Sequence, residues 1–279
     1  GLTKGDLVAY YRAVSKWMLP YLADRPLVLT RYPDGIDGKS FYQKDAPEYA
    51  PDWIRLETLY SEGSERDIRY FVIEHEEGLA YVANMAAIPL HVWSSRIPSL
   101  QRPDWCILDL DPKEAPFVNV VKVARAIHKL CDQVELPHFV KSTGSTGLHV
   151  LIPLGARYTH EQSRALAELL ANCVVRQLPD IATVARHLDA RDGKVYVDYL
   201  QNGHGRLLVA PYSARTVPSA AVSMPINWKQ VTPRLDMHNY NLRTVPAMLA
   251  KQKVDPFGEL FAQAADLNRS LKLLSEVMQ

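Results

Sequence analysis

Apolar residues recur every three to four positions over residues 3–22, so Leu7, Tyr10, Val14, Trp17, Met18 and Tyr21 share one helical face. Thr3 is placed to cap that helix, and Pro20 falls in its last turn, where a missing N–H ends or kinks it. A strand follows over 27–32, then a turn-rich loop, Pro33-Asp34-Gly35 with Asp37-Gly38. The charged stretch from Glu57 to Asp67 predicts a solvated loop ahead of strands at 68–73 and 79–84. Alternation over 88–96 gives a further strand, and the run Trp105-Cys106-Ile107-Leu108-Asp109-Leu110-Asp111 gives another, stopped by Pro112. Phe117, Val121, Ala124, Ile127 and Cys131 keep a helical period. Strands at 138–142 and 148–154 come next. Thr159 and Gln162 then form a capping box for a helix with Leu166, Leu169, Leu170 and Cys173 inward. The strand Lys194–Leu200 is expected to pair with 206–211 across Asn202-Gly203-His204-Gly205. Residues 212–256 read as irregular, and 257–279 as an amphipathic helix carrying Leu260, Ala264, Leu267, Leu271 and Leu274. The order predicts one α/β (α+β) domain with mixed strand order over 1–279, without internal repeats.

Two aspartates spaced i and i+2 change this picture. On a strand, Ile107, Asp109 and Asp111 point one way while Cys106, Leu108 and Leu110 point the other. The two acids are then roughly 6–7 Å apart at the backbone, close enough to share a divalent cation or a pair of them. Asp198 lies in an equally apolar strand. Burying three carboxylates is costly unless a hard cation compensates. Metal-assisted phosphoryl transfer is the reading this favours; the bland alternative is an edge-strand pair facing water.

Lys141-Ser142-Thr143-Gly144-Ser145-Thr146-Gly147-Leu148-His149 sets hydroxyls and glycines between two strands. Such a loop can wrap phosphate oxygens with backbone N–H groups. On spacing alone a tight turn followed by a core histidine is the favoured reading, and it is no Walker-type loop. Taken alone, His91 reads as a satisfied strand histidine. Phe41 and Tyr42, beside Arg31, Lys39 and Lys44, suit stacking on unpaired bases along a phosphate track, or a plain hydrophobic loop anchor.

Bulk composition constrains rather than identifies. The 279 residues are 47% hydrophobic and 23% charged, ordinary for a chain that buries a core. No apolar run approaches the ~18–20 residues that span a membrane. A formal net charge of +1 excludes a broadly cationic DNA coat, so nucleic-acid binding would need a local groove that recognises ends or junctions. Cys106, Cys131 and Cys173 are scattered and odd in number, matching neither a disulfide framework nor a zinc site, and they suit a reducing cytosol. Opening at Gly1-Leu2-Thr3-Lys4, the chain reads as a domain cut from a longer protein.

Several ordered blocks together resemble the polymerase domain of bacterial ligase D, within the archaeo-eukaryotic primase superfamily. They are Arg31-Tyr32-Pro33-Asp34-Gly35-Ile36-Asp37-Gly38, Phe41-Tyr42-Gln43-Lys44, Ala83-Asn84 and His91-Val92-Trp93-Ser94-Ser95-Arg96. Then come Leu108-Asp109-Leu110-Asp111-Pro112, Gly147-Leu148-His149-Val150, Val197-Asp198-Tyr199-Leu200-Gln201-Asn202 and Ala210-Pro211-Tyr212-Ser213-Ala214-Arg215. The resemblance implies a primase-polymerase (RRM-like) core of mixed, largely antiparallel sheets with flanking helices. It implies that Asp109, Asp111 and Asp198 are catalytic and bind two divalent ions, Mn2+ typically favoured over Mg2+. Thr143, His149 and Arg215 would hold the triphosphate of an incoming nucleotide, with His91 beside it and Arg191 as a nearby basic residue. Phe41 and Tyr42, with Lys44 in their loop, would meet the template, and Lys4 the downstream 5′-phosphate of a gap.

The implied activity is template-directed nucleotidyl transfer onto a 3′-hydroxyl, preferring ribonucleotides, at broken DNA ends in non-homologous end joining. The implied partners are DNA ends and gaps, an ATP-dependent ligase domain and Ku, with no membrane, in a cytoplasmic, nucleoid-associated setting. Three positions depart from the family pattern. Thr146 replaces a loop lysine, which would weaken triphosphate binding or shift it to Lys141 or Arg215; Gln201 and Val217 stand where arginine is frequent. A two-metal nuclease or phosphohydrolase, and a noncatalytic module that binds DNA ends, are the rival readings.

Overall fold

The computed structural model describes residues 1–277. In chain order its elements are α1 (Lys4–Leu22), β1 (Leu27–Arg31), β2 (Phe41–Gln43), β3 (Leu56–Ser61), β4 (Arg66–Phe71), α2 (Glu76–Asn84), β5 (Ala87–Trp93), β6 (Trp105–Asp111) and α3 (Phe117–Gln133). There follow β7 (Phe139–Ser142), β8 (Leu148–Pro153), α4 (His160–Gln177), β9 (Ala182–Thr183), β10 (Val195–Asp198), β11 (Leu207–Val209), β12 (Pro225–Ile226), α5 (Val245–Lys251) and α6 (Leu267–Val277). The chain packs as two compact units, each with its own sheet.

The first unit comprises Gly1–Pro98, Leu207–Met224 and His238–Lys253. Its antiparallel sheet runs β11-β5-β1-β4-β3, with β2 added beside β1. Helix α1 forms where expected: Thr3 and Asp6 close a capping box, and Leu7, Tyr10, Val14, Met18 and Tyr21 are buried. A cap of this kind stabilises a helix by about 1 kcal/mol.

Two expectations fail in this unit. Residues 79–84 are not a strand but the end of α2. His75 accepts the Gly78 N–H as N-cap, and Leu79, Val82 and Ala83 make an i, i+3, i+4 inner face. The charge run from residue 57 is not simply a loop either. It supplies β3, which pairs with β4 from Leu56↔Phe71 to Ser61↔Arg66. As an edge strand wet on one side, β3 tolerates the polar residues that made the segment look solvated.

The second unit holds Ser99–Arg206, Pro225–Met237 and Val254–Gln279, of which the last two residues lie outside those described. Its sheet runs β12-β7-β8-β6-β10-β9 and is antiparallel except for β9 with β10. Both sheets therefore fit the mixed, largely antiparallel architecture that was expected. On β6, the Cys106 thiol donates to the Ser163 carbonyl of α4 at 3.4 Å. Since side chains alternate, Leu108 and Leu110 share that helix-covered face, and Asp109 and Asp111 take the other.

The expected hairpin of the Asp198 strand with 206–211 does not form. Strand β10 pairs with β6, whereas β11 joins the first unit's sheet beside β5. The diversion begins at Asn202, which is buried and grips β6: its amide oxygen accepts from Ile107 N and its amide nitrogen donates to Ile107 O, both at 2.8 Å. The C-terminal helix begins at Leu267 rather than 257. Before it, Asp255 accepts the Phe257 N–H through its side chain and closes a turn, the competition with helix that aspartate favours.

Candidate active site

Strand register assembles the acids of the second unit. Asp198 on β10 lies opposite Asp109 on β6, Asp109 opposite His149 on β8, and His149 opposite Lys141 on β7. Residues directly opposite share a face of the sheet, with Cβ atoms about 5 Å apart. Lys141, His149, Asp109 and Asp198 therefore form one row across four strands. Asp111 lies two residues along β6 on the same face, opposite Tyr196.

Each acid is held. His149 Nε2 lies 3.3 Å from Asp109 Oδ1. Asp111 accepts from Arg191 Nη1 at 2.8 Å and from the Lys113 N–H at 3.1 Å. The Arg191 guanidinium lies 4.1 Å above the Tyr196 ring and also donates to the Arg186 carbonyl. Asp198 accepts from Leu200 N at 2.7 Å and from Gln201 Nε2 at 3.1 Å. Gln201, which departs from the family pattern, thus orients a carboxylate. The side chains of Asp109 and Asp111 are 25% and 43% exposed, so the row opens to solvent at its acidic end, while Lys141 is fully buried. Burial and the neighbouring Asp198 charge push the Tyr196 hydroxyl well up, leaving it a neutral donor at any working pH.

The hydroxyl-glycine loop joins β7 to β8 beside this row. Its shape is set by Thr143, whose oxygen accepts from the N–H groups of Ser145 and Gly147, both at 3.1 Å. Gly147 is required: a Cβ there would run into the Leu110 carbonyl oxygen. Gly144 takes a positive φ of 70°.

The other predicted residues belong to the first unit. His91 lies opposite Val28 and Val209, with Nε2 3.3 Å from Thr30 Oγ1 and its ring 6.1 Å from that of Tyr42. Phe41 and Tyr42 are 46% and 66% exposed, and the Arg31 guanidinium lies over Phe41 at 5.4 Å. Lys44 is exposed on the same segment. Lys4 and Arg215, assigned separate roles from the sequence, line one cavity of about 730 Å³ together with Tyr32, Val217 and Arg243.

Sequence reasoning missed Arg243, which sits alone in a segment without periodicity. It also missed Asn202, read as a turn residue, and Tyr196, although alternation already put Tyr196 on the face of Asp198. The acids supply only oxygen donors, outnumber the guanidinium beside them, and are pre-oriented by N–H groups. That donor set fits hard divalent ions such as Mg2+ or Mn2+.

Residues 3–257 match the family described as LigD, primase-polymerase domain. The chain is 32% identical over 266 residues to the bifunctional non-homologous end joining protein LigD of Bacillus subtilis, covering 95% of this chain and 42% of that protein. It is 30% identical over 249 residues to the multifunctional LigD of Pseudomonas aeruginosa, covering 88% and 29%. It thus spans less than half the length of these relatives. Among solved structures, the polymerase domain of Mycobacterium tuberculosis ligase D in complex with DNA superposes with a TM-score of 0.86 at 30% identity, covering 94% of this chain and 93% of that one. The row of acids is thus carried by a chain that belongs to the LigD primase-polymerase domain family.

Proposed function

We propose that this chain is a DNA repair polymerase: a template-directed nucleotidyltransferase that extends 3′-hydroxyl ends and fills gaps at double-strand breaks, with ribonucleotides preferred. The observation that carries this reading is the row Lys141–His149–Asp109–Asp198 with Asp111 alongside, in a member of this family. Asp109, Asp111 and Asp198 would hold two divalent ions, Mn2+ or Mg2+. Bound there, such ions lower the pKa of the attacking hydroxyl and offset charge on the transferring phosphoryl group and the leaving pyrophosphate.

The protein's own groups position the reactants. His149, next to Asp109 in the row, and the Thr143 loop would donate to triphosphate oxygens, with Lys141 buried at the far end of the row. Arg191 donates to Asp111 and sets a guanidinium beside it. His91 and Arg215 are assigned to the nucleotide, Phe41, Tyr42 and Lys44 to the template, and Lys4 to a downstream 5′-phosphate. Both units fall within the family match, so residues 1–279 are read as one primase-polymerase domain of a longer protein. A ligase domain and Ku are its proposed partners, and the cytoplasmic nucleoid its proposed location. Among the described residues no helix is long and apolar enough to cross a membrane.

The test is extension on gapped, 5′-phosphorylated DNA, with ribo- and deoxyribonucleotides and with Mn2+ and Mg2+ supplied separately. Wild type should lengthen the primer, faster with ribonucleotides, and Asp109→Asn should abolish extension while still binding the gap. Extension by Asp109→Asn in Mn2+ would overturn the assignment. Products that shorten without nucleotide would indicate a nuclease. Binding without turnover would indicate a noncatalytic end-binding module.

A further inference from the structure

The second unit carries another cluster, with different chemistry. His128 and Asp132 lie one turn apart on α3, and His138 stands just before β7. One ligand atom from each lies within 4.8 Å of the others. His138 Nδ1 is 2.7 Å from the Leu136 carbonyl oxygen, which only accepts, so Nδ1 carries the ring proton and Nε2 keeps its lone pair. A carbonyl in this position fixes the tautomer and orientation of metal-binding imidazoles. His138 Nε2 is 2.6 Å from His128 Nδ1, and the Asp132 oxygens lie 3.7 and 3.8 Å from these two nitrogens.

Trp228 braces both rings. It stacks on His128 at 4.3 Å with planes 6° apart, and its Nε1 donates to the His138 carbonyl at 3.2 Å. Asp132 also sits in the last turn of α3, where the helix dipole disfavours an anion and a bound cation would reverse the penalty.

We propose that His128, Asp132 and His138 bind one late first-row divalent ion, Zn2+ foremost, at a site separate from the row of acids. Two nitrogens and one carboxylate suit Zn2+, whereas the all-oxygen row suits Mn2+ or Mg2+. Binding widens the His–His spacing from 2.6 Å to about 3.3 Å, as two ligands at about 2.0 Å on a tetrahedral ion require. In the same step the proton on His128 Nδ1 moves to its Nε2, so none is released. Asp132, 61% exposed, gives the ion its way in, and water completes the coordination. The ion would tie the end of α3 to the start of β7 as a structural clamp, independently of what the acids catalyse.

Metal-stripped protein is titrated with ZnCl2 in excess Mg2+, following zinc retained after dialysis, Trp fluorescence and melting temperature. Wild type should retain one zinc per chain and melt higher with it. Asp132→Asn and His138→Gln should each weaken binding by about tenfold or more. The Asp109→Asn/Asp111→Asn double variant should retain zinc as wild type does. Zinc binding in Asp132→Asn as tight as in wild type, or loss of zinc in the double variant, overturns the proposal. Should His138→Gln fail to fold, the exposed Asp132→Asn still decides. Co2+ adds a second readout: its tetrahedral ligand-field absorption should appear in wild type and fade in Asp132→Asn.

Discussion

Gly147 shows how narrowly single residues are fixed beside the row of acids. Its Cα faces the Leu110 carbonyl and Pro112, so a methyl group there must push β6 away from the loop. Gly147→Ala should therefore destabilise the protein by about 1–3 kcal/mol, the usual cost of overpacking. Equilibrium denaturation measures this, and an unchanged midpoint would mean the loop has slack. The cysteines make a complementary case. All three are free and buried, with burial pushing the Cys106 thiol up to about 12 and raising Cys131 and Cys173 as well. A thiol-disulfide reagent at pH 8 should find almost no reactive thiol in the native protein and three in denaturant. Fast native labelling would contradict that burial. Both cases were partly legible in the sequence: the glycine from its place between a run of hydroxyl residues and the next strand, the cysteines from their apolar settings. The collision at Gly147 was not, because its partner lies on another strand.

At the scale of elements, Asn202 decides where β10 goes. Its side chain makes four hydrogen bonds: to Ile107 N, Ile107 O, Ser163 Oγ and Tyr199 O. Asn202→Ala would orphan a buried N–H and a buried carbonyl on β6, each costing about 1–3 kcal/mol. Asn202→Asp keeps the acceptors but sets a buried carboxylate oxygen against the Ile107 and Tyr199 carbonyls, so the denaturation midpoints of both variants should fall below that of wild type. Equal midpoints for all three would show that β6 and β10 hold without the bridge. Extension should weaken in both variants if this bridge keeps Asp198 opposite Asp109. Local pattern found most elements, and two of its errors have a plain physical reason. In 79–84, six residues fit alternation about as well as helical spacing, and only the His75 cap and the inner face of Leu79, Val82 and Ala83 separate them. For β10, a turn-like Asn-Gly looked like a hairpin, yet the asparagine was engaged elsewhere.

For the molecule as a whole, a net charge of +1 means that the proposed DNA binding would have to come from local groups. On the proposed function Tyr42, 66% exposed, would be the stacking platform, and Tyr42→Ala should weaken binding to gapped DNA by about 1–3 kcal/mol. Lys4→Ala should lower the slope of log affinity against log salt by about 1 if Lys4 neutralises a phosphate. Fluorescence anisotropy at several salt concentrations measures both, and unchanged affinity in the two variants would remove these two residues from the DNA path. Neither variant should alter ion binding by the acids, which Asp109→Asn should abolish.

The sequence alone determined what local chemistry can determine. It set which segments are helical or extended through their apolar period and caps, that Asp109 and Asp111 share a strand face, and, through blocks of matching residues, the family. Tertiary structure decided everything that depends on which strand lies beside which. It put Asp198, His149 and Lys141 in one row with Asp109, gathered Lys4, Arg215 and Arg243 around one cavity, and joined His138 to a pair on α3. Periodicity constrains neighbours within a turn or a strand. Register across a sheet is set by packing and hydrogen bonds between residues far apart in the chain, and no local pattern carries that information.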